Sequence, residues 1–158
     1  AHLYKIPATG LRFFAVYGPY GRPDMAYFGF TNKIFAYEQI KSFSNGDMLR
    51  DFTYIDDIVT GILNILPCPP EADANGDMYK IYNIGNNKPE KLMTFIETLE
   101  DVIGMKAKKE YLPMQAGDVY QTYADVSELE KNFGFKPQTT IREGLTNFIN
   151  WYRDFYHK

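Results

Sequence analysis

The chain has 158 residues, enough for about one ordinary domain with a sizeable core. Its 45% apolar and 23% charged content are those of a soluble globular protein, and a net charge of -3 gives no reason to expect nucleic acid or an anionic membrane as partner. One cysteine, Cys68, excludes an internal disulfide and fits a reducing compartment; with no signal peptide before the first strand and no apolar run of the ~20 residues a membrane span needs, a cytoplasmic protein is expected.

The first predicted element is a strand over Leu11 to Val16, following Ile6-Pro7-Ala8-Thr9-Gly10 and near-continuously apolar, as buried parallel strands are. Such a strand needs parallel neighbours and few follow it. Together with the missing initiator Met, this leads to the expectation that residues 1–158 are a piece of something larger. Tyr17 to Met25 is a loop dense in Gly and Pro. Apolar residues at 27, 28, 30, 34, 35 and 37 predict a helix over 27–37. Ile40 to Phe43 reads as a short strand, Ser44-Asn45-Gly46-Asp47 as a turn with the Asn-Gly hairpin signal, and Arg50 to Ile55 as a second strand. Residues 40–55 are therefore expected to form a hairpin. Asp56 and Asp57 stand where carboxylates can cap a helix over 56–66, whose expected buried side joins Ile58, Ile62 and Ile65 with Val59, Leu63 and Leu66. Pro67, Pro69 and Pro70 stop it.

Residues 69–78 read as a solvated loop and Tyr79 to Ile84 as a strand ending at Gly85. Leu92, Phe95, Ile96, Leu99, Val102 and Ile103 step by three and four, predicting a helix over 91–103 with Gly104 just past its end. Ala107 to Leu112 is a strand with charge on alternate positions, and Met114 to Asp118 a loop. Two helices follow, 127–133 and 141–156, each opened by a predicted capping box, Ser127 to Glu130 and Thr140 to Glu143. Alternating strands and helices argue for an α/β architecture.

Candidates for catalysis are few. His2 and His157 lie at the chain ends, and no Cys/His cluster has metal-ligand spacing, so no metal site is expected. Asp56 and Asp57 suit capping better than acid–base work, and Asp47 and Asp51 read as turn and surface residues. No Gly-x-Gly-x-x-Gly or Walker-type loop is present. What remains is cationic and polar residues on loops and strand ends: Arg22, Arg50, Gln115 and Asp118. A guanidinium held rigidly at the mouth of a strand matches the oxygens of a phosphate or carboxylate; the plainer alternative for Arg50 is a surface ion pair with Asp51 or Asp57. The set can bind an anion and a ribose-like diol, but cannot by itself transfer protons or hydrides.

Longer motifs carry a family resemblance. Leu11-Arg12-Phe13-Phe14-Ala15-Val16-Tyr17-Gly18-Pro19 and Gly21-Arg22-Pro23-Asp24-Met25-Ala26-Tyr27-Phe28 resemble the middle of the extended short-chain dehydrogenase/reductase family, specifically its nucleotide-sugar epimerases. Arg50 to Asp57 is similar to the family's phosphate-binding strand, and Tyr82 to Asn86 and Gln115 to Val119 resemble two later blocks in the family's order and spacing. Gly21 to Ala26 followed by Arg50 to Asp57 most resembles the family's UDP-glucuronate 4-epimerase branch. The resemblance covers essentially the whole chain but only the C-terminal half of the family's protein. It implies an α/β fold made of the last parallel strands of a doubly wound Rossmann sheet, near 11–16 and 79–84, plus a smaller α/β sugar-nucleotide-binding domain from 17–66 and 86–158. The family's glycine-rich NAD loop and catalytic Tyr-x-x-x-Lys precede this region. Tyr17, Tyr20 and Tyr27 are not followed four residues on by Lys, so no catalytic residue is expected within the chain.

The same resemblance implies roles for individual residues. Arg50 binds the UDP pyrophosphate, Asp118 binds the uridine ribose hydroxyls, and Gln115 lies beside it. Lys41 and Phe43 lie on the strand whose backbone recognises uracil in relatives. Arg22 reaches the sugar nucleotide near a phosphate or the uronate carboxylate. Phe13, Phe14, Ala15 and Val16 approach the nicotinamide of NAD from a strand end, where ligands of doubly wound sheets bind. One position departs from the pattern: Ala15 stands where uronate epimerases usually carry Thr and galactose epimerases Asn. The implied activity is NAD-dependent 4-epimerisation of a UDP-sugar by transient oxidation at carbon 4, by an enzyme commonly a homodimer, with the isolated chain inactive. Two other readings stay open: a nucleotide-sugar dehydratase or decarboxylase of the same fold, and a non-catalytic UDP-sugar-binding module.

Overall fold

Backbone hydrogen bonding divides the apolar stretch at 11–16 into two strands. In the computed structural model, which describes residues 1–158, β1 (Ala8–Phe13) and β2 (Ala15–Tyr17) are separated by Phe14. The Val16 N–H turns back onto the Phe14 carbonyl at 2.8 Å, and this tight step sends the chain from one sheet to another. The single strand expected over 11–16 is thus corrected. After α1 (Ala26–Phe35) come β3 (Gln39–Phe43), β4 (Leu49–Tyr54) and α2 (Ile55–Ile65). Then follow β5 (Tyr79–Ile84), β6 (Pro89–Lys91), α3 (Leu92–Ile103), β7 (Lys108–Leu112), α4 (Ser127–Phe133) and α5 (Ile141–Tyr156).

Three small sheets result. β1 pairs parallel with β5 from Ala8↔Tyr79 to Phe13↔Ile84. β2 pairs parallel with β4, which pairs antiparallel with β6, and β3 pairs parallel with β7. The expected hairpin over 40–55 does not form, because β3 and β4 take different partners. Ser44, Asn45 and Gly46 all adopt left-handed backbone (φ 50°, 52° and 80°), closing a 3-10 turn instead of a two-residue hairpin loop. Beyond it the Leu92 N–H bonds the Met48 carbonyl at 2.8 Å and the Leu49 N–H bonds the Tyr120 carbonyl at 3.0 Å. β6, which begins at a proline on a sheet edge, carries no strand signal in the sequence.

The helices fall close to their predicted positions. α3 buries Phe95, Ile96, Leu99 and Ile103 and ends at Gly104, whose φ of 78° is left-handed. At the start of α5, Thr140 Oγ1 accepts from the Glu143 N–H at 3.2 Å, as its capping box predicts. The box expected at Ser127 is displaced: Val126 is the cap, and the Ser127 N–H and hydroxyl both donate to Asp125. Asp56 and Asp57 lie inside the first turn of α2, where they complement its dipole, but Tyr54 occupies the cap with no side-chain hydrogen bond. Asp57 instead accepts from the Gln138 and Thr139 N–H groups at 3.2 and 3.1 Å, fastening α2 to the segment before α5. The buried side expected for α2 is also too wide. Ile58, Gly61 and Ile65 are buried, whereas Val59, Leu63 and Leu66 are exposed. The six aliphatic residues make two adjacent stripes, and a helix turns only one toward the sheet.

Aromatic residues dominate the core, although as many of them are exposed as buried. Tyr17, Phe28, Phe52, Phe95, Phe148 and Tyr152 join α1, α3 and α5 to β2 and β4, with the Phe52 and Phe95 rings stacked 4.1 Å apart. A second cluster around Ile58, Ile65, Ile84, Leu129 and Phe135 packs α2 and α4 on β5. No helix is long and apolar enough to cross a membrane.

Candidate functional site

Two β-strand alternations build a cavity between β2, β3 and β4. On β4, Arg50 and Phe52 point to one face while Asp51 and Thr53 point to the other, because successive side chains alternate across a strand. On β3, Lys41 and Phe43 share a face for the same reason, with Ile40 and Ser42 buried behind them. Their faces meet in a cavity of about 390 Å³, within the range of small-molecule sites. Ala15 and Val16 of β2, Met25, Tyr27 and Phe30 near the start of α1, Leu92 and Asp118 complete its wall. A second cavity of about 320 Å³ lies alongside and shares Val16, Met25 and Tyr27 with the first. Phe13, Phe14, Gly18, Tyr20 and Arg22 border it, among others.

Arg50 is held from several directions. Its Nη1 donates to the Leu49 carbonyl at 2.9 Å and the Tyr120 carbonyl at 3.2 Å, and its Nη2 donates to Asp118 Oδ1 at 2.9 Å. The partner is neither Asp51 nor Asp57 but the residue singled out separately for a ribose diol. With 18% of its side chain exposed, Arg50 is a mostly buried cation at a cavity wall. Asp118 also accepts from the Val119 N–H at 2.8 Å, so its carboxylate is fixed from both sides.

The six candidate polar and apolar binding residues are not all gathered in one place. Lys41, Phe43, Arg50 and Asp118 line the first cavity with Ala15 and Val16. Phe13, Phe14, Val16 and Arg22 line the second. Gln115 lines neither; it stands exposed, its carbonyl receiving the Asp118 N–H at 3.1 Å. Arg22 is exposed and bonds Asp24, two residues on, with Nε to Oδ1 at 3.0 Å. That hydrogen bond holds the Asp24 carboxyl below the usual carboxylate range and raises Arg22 above its own.

Sequence reasoning missed four contributors. Tyr27 and Phe30 read as one stripe of a helix, yet they wall the cavity at the same time. Tyr120 orients Arg50 with its carbonyl and bonds Asp47 with its hydroxyl at 3.2 Å; Lys91 first, then Tyr120, holds the Asp47 carboxyl low. Asp51, expected at the surface, is fully buried. It accepts from the N–H groups of Asn86, Asn87 and Ala124 at 2.7, 3.1 and 2.9 Å, tying three segments behind Arg50.

Known proteins share this fold. The profile of the NAD dependent epimerase/dehydratase family matches residues 1–85, more than half of the chain. The chain belongs to this family. A Staphylococcus aureus protein named CapI is 46% identical over 169 residues, and a probable UDP-glucuronate 4-epimerase of Rhizobium meliloti 42% identical over 170. Each alignment takes in 100% of this chain, but 51% of the first relative and 50% of the second. The chain thus spans about half the length of the curated relatives it matches. The crystal structure of UDP-glucuronic acid 4-epimerase from Bacillus cereus, in complex with UDP-glucuronic acid and NAD, superposes with a TM-score of 0.84. It is 30% identical, over 98% of this chain and 48% of that one. The α/β fold with parallel strands is therefore that of Rossmann-type members of the family.

Proposed function

We propose that this chain is the sugar-nucleotide-holding part of an NAD-dependent 4-epimerase acting on UDP-glucuronate. The observation that carries the reading is the Arg50–Asp118 pair at 2.9 Å on the wall of an apolar cavity that runs into a second one. Aromatic walls suit a planar base, and Phe30 and Phe43 supply them in the first cavity. A rigid guanidinium suits a diphosphate; Arg50 presents one with its fork preorganised on two carbonyls. A fixed carboxylate accepts from a vicinal diol, which is the place of Asp118 beside the ribose. The sugar then extends past Val16, Met25 and Tyr27 into the second cavity, where Arg22 meets the uronate carboxylate.

The NAD reading rests on Phe13 to Val16. They offer a half-exposed ring and a strand end beside the second cavity, a fit for one planar end of a dinucleotide. When bound, NAD supplies the acceptor and donor of a hydride at the sugar. This chain's share is to bind and orient. Burial first, and then the charge of Asp57, pushes the Tyr17 phenol well up; burial likewise raises Tyr27 despite its hydrogen bond to Gly18. Neither phenol suits a proton acceptor at neutral pH, and the proton-transfer role falls outside these residues. A firm pivot at the diphosphate lets the sugar swing while the nucleotide stays in place.

Calorimetric titration with UDP tests this. Removing a charge-assisted partner costs about 1.5–3 kcal/mol, so Arg50→Ala is expected to weaken UDP binding about tenfold to a hundredfold. Equal affinity of the wild-type chain and Arg50→Ala would overturn the phosphate role.

A further inference from the structure

The loop between β2 and α1 contains an exposed tyrosine in an unfavourable backbone. Tyr20 is 81% exposed, and its φ is 57°, a left-handed conformation uncommon and costly for a bulky residue. Burial does not hold it. Its ring instead lies 5.1 Å from that of Trp151, tilted by 53°. Trp151 is the chain's one tryptophan and sits on α5, far along the sequence. Its ring is itself wedged among Phe28, Phe148 and Phe155, at 6.2, 5.9 and 5.3 Å. The indole is thus an extension of the core that reaches out to the loop.

The two ends of the loop are fixed separately. A Cβ on Gly18 would come within 2.5 Å of Ile55, and one on Gly21 would collide with the Tyr27 hydroxyl, so both glycines are pressed against the core. Tyr27 also donates to the Gly18 carbonyl at 3.2 Å. Between these points the Tyr20 ring rests on Trp151, and Arg22 follows, its carbonyl accepting from the Met25 N–H at 3.1 Å. The Arg22 side chain has no partner beyond Asp24 on its own loop. Its guanidinium thus stands over the second cavity on a loop whose outer turn is held at Tyr20.

We propose that Trp151 is a positioning residue for the sugar end of the site: through Tyr20 it latches the loop Gly18–Arg22 over the second cavity and so aims Arg22 at an anionic sugar. The proposal rests on the reading of the two cavities as a nucleotide end and a sugar end. It separates two ligands. UDP alone fills the first cavity and does not feel the latch, whereas UDP-glucuronate reaches under the loop.

The test uses the full chain and both ligands. Tyr20→Ala is expected to weaken UDP-glucuronate about threefold to tenfold, the scale of a lost aromatic pair, and to leave UDP affinity unchanged. Tyr20→Phe keeps the ring and should restore UDP-glucuronate binding to near the wild-type value. Because Trp151 is the sole indole, its fluorescence reads the contact directly. UDP-glucuronate should shift its emission and UDP should not, and Tyr20→Ala should abolish the shift. Unchanged UDP-glucuronate affinity in Tyr20→Ala would overturn the latch, as would equal weakening of both ligands, which marks a merely structural loop. Arg50→Ala measured alongside keeps the two ideas apart: if it loses UDP while Tyr20→Ala loses nothing, the latch alone fails. If the wild-type chain binds neither ligand, both fail.

Discussion

Arg50 and Asp118 stand 68 residues apart in the chain and meet at 2.9 Å, and nothing local to either predicts the other. Motif resemblance selected both, but that Arg50 pairs with Asp118 and with neither Asp51 nor Asp57 is something only the fold supplies. The same limit hid Asp51. An acid beside an Arg reads as surface, and its three donors come from backbone N–H groups 35 to 73 residues away, which leave no mark on side-chain pattern. Glu100 is a second buried acid with a measurable consequence. Its side chain is 1% exposed, and it accepts from Lys109, from Lys106 at 3.2 Å and from the Ala107 N–H at 2.9 Å. Burial alone would raise its carboxyl, but Lys109, Ala107 and Lys106 together outweigh burial and lower it from its ordinary 4.5. A carboxyl lowered by folding stabilises the fold above its unfolded value, and that contribution disappears as the pH drops through the lower, folded value. Glu100→Gln leaves Lys109 without its anion and is expected to cost about 3–5 kcal/mol at pH 7. Urea unfolding at a series of pH values should show the gap between Glu100→Gln and wild type narrowing below about pH 4.5. A gap that stays constant into strong acid would contradict the ion-pair account.

Helices were the legible elements, and strands the less legible ones. A helix advertises itself by apolar residues three and four apart, and α3 and α5 lie within a residue of where that spacing puts them. Strand pairing depends on partners far along the chain, so the Asn45-Gly46 signal promised a hairpin that the parallel partners β2 and β7 pre-empted. Glycines within helices expose a related blindness. Sequence alone treats Gly144, inside α5, as a cost of about 1 kcal/mol relative to Ala. In the fold, a Cβ there would run into the Tyr17 hydroxyl and lie 2.8 Å from two of its ring carbons. α5 can approach β2 this closely only because residue 144 has no side chain, and Tyr17 is buried on every side and has nowhere to retreat. Overpacking of this kind costs about 1–3 kcal/mol. Gly144→Ala should therefore lower stability in urea unfolding in spite of its better helix propensity. A stabilised Gly144→Ala would mean that β2 and α5 can part more easily than the contact implies.

At the scale of the whole molecule, holding a substrate and transforming it need different residues, and the proposed role asks this chain only for the first kind. Its two adjoining cavities present a guanidinium, a carboxylate, aromatic walls and a second guanidinium. General acid–base work needs a group that titrates near neutral pH at the reacting atoms. Two of the tyrosines that border the second cavity, Tyr17 and Tyr27, are moved by burial in the opposite direction, and no Lys stands four residues after either to draw it back. His2 and His157 lie near the two ends of the chain, and neither borders the two cavities. The relatives it matches are about twice as long, which leaves ample sequence in them for the chemistry. Binding and turnover should accordingly come apart. The chain of 158 residues, supplied with NAD and UDP-glucuronate, is expected to bind the nucleotide in an Arg50-dependent way yet to form no UDP-galacturonate. Anion-exchange chromatography of the sugar nucleotides after long incubation measures the second half of that statement. Accumulation of the 4-epimer would show that a proton acceptor lies among these residues after all, and Tyr17 and Tyr27 would be the first to replace by Phe.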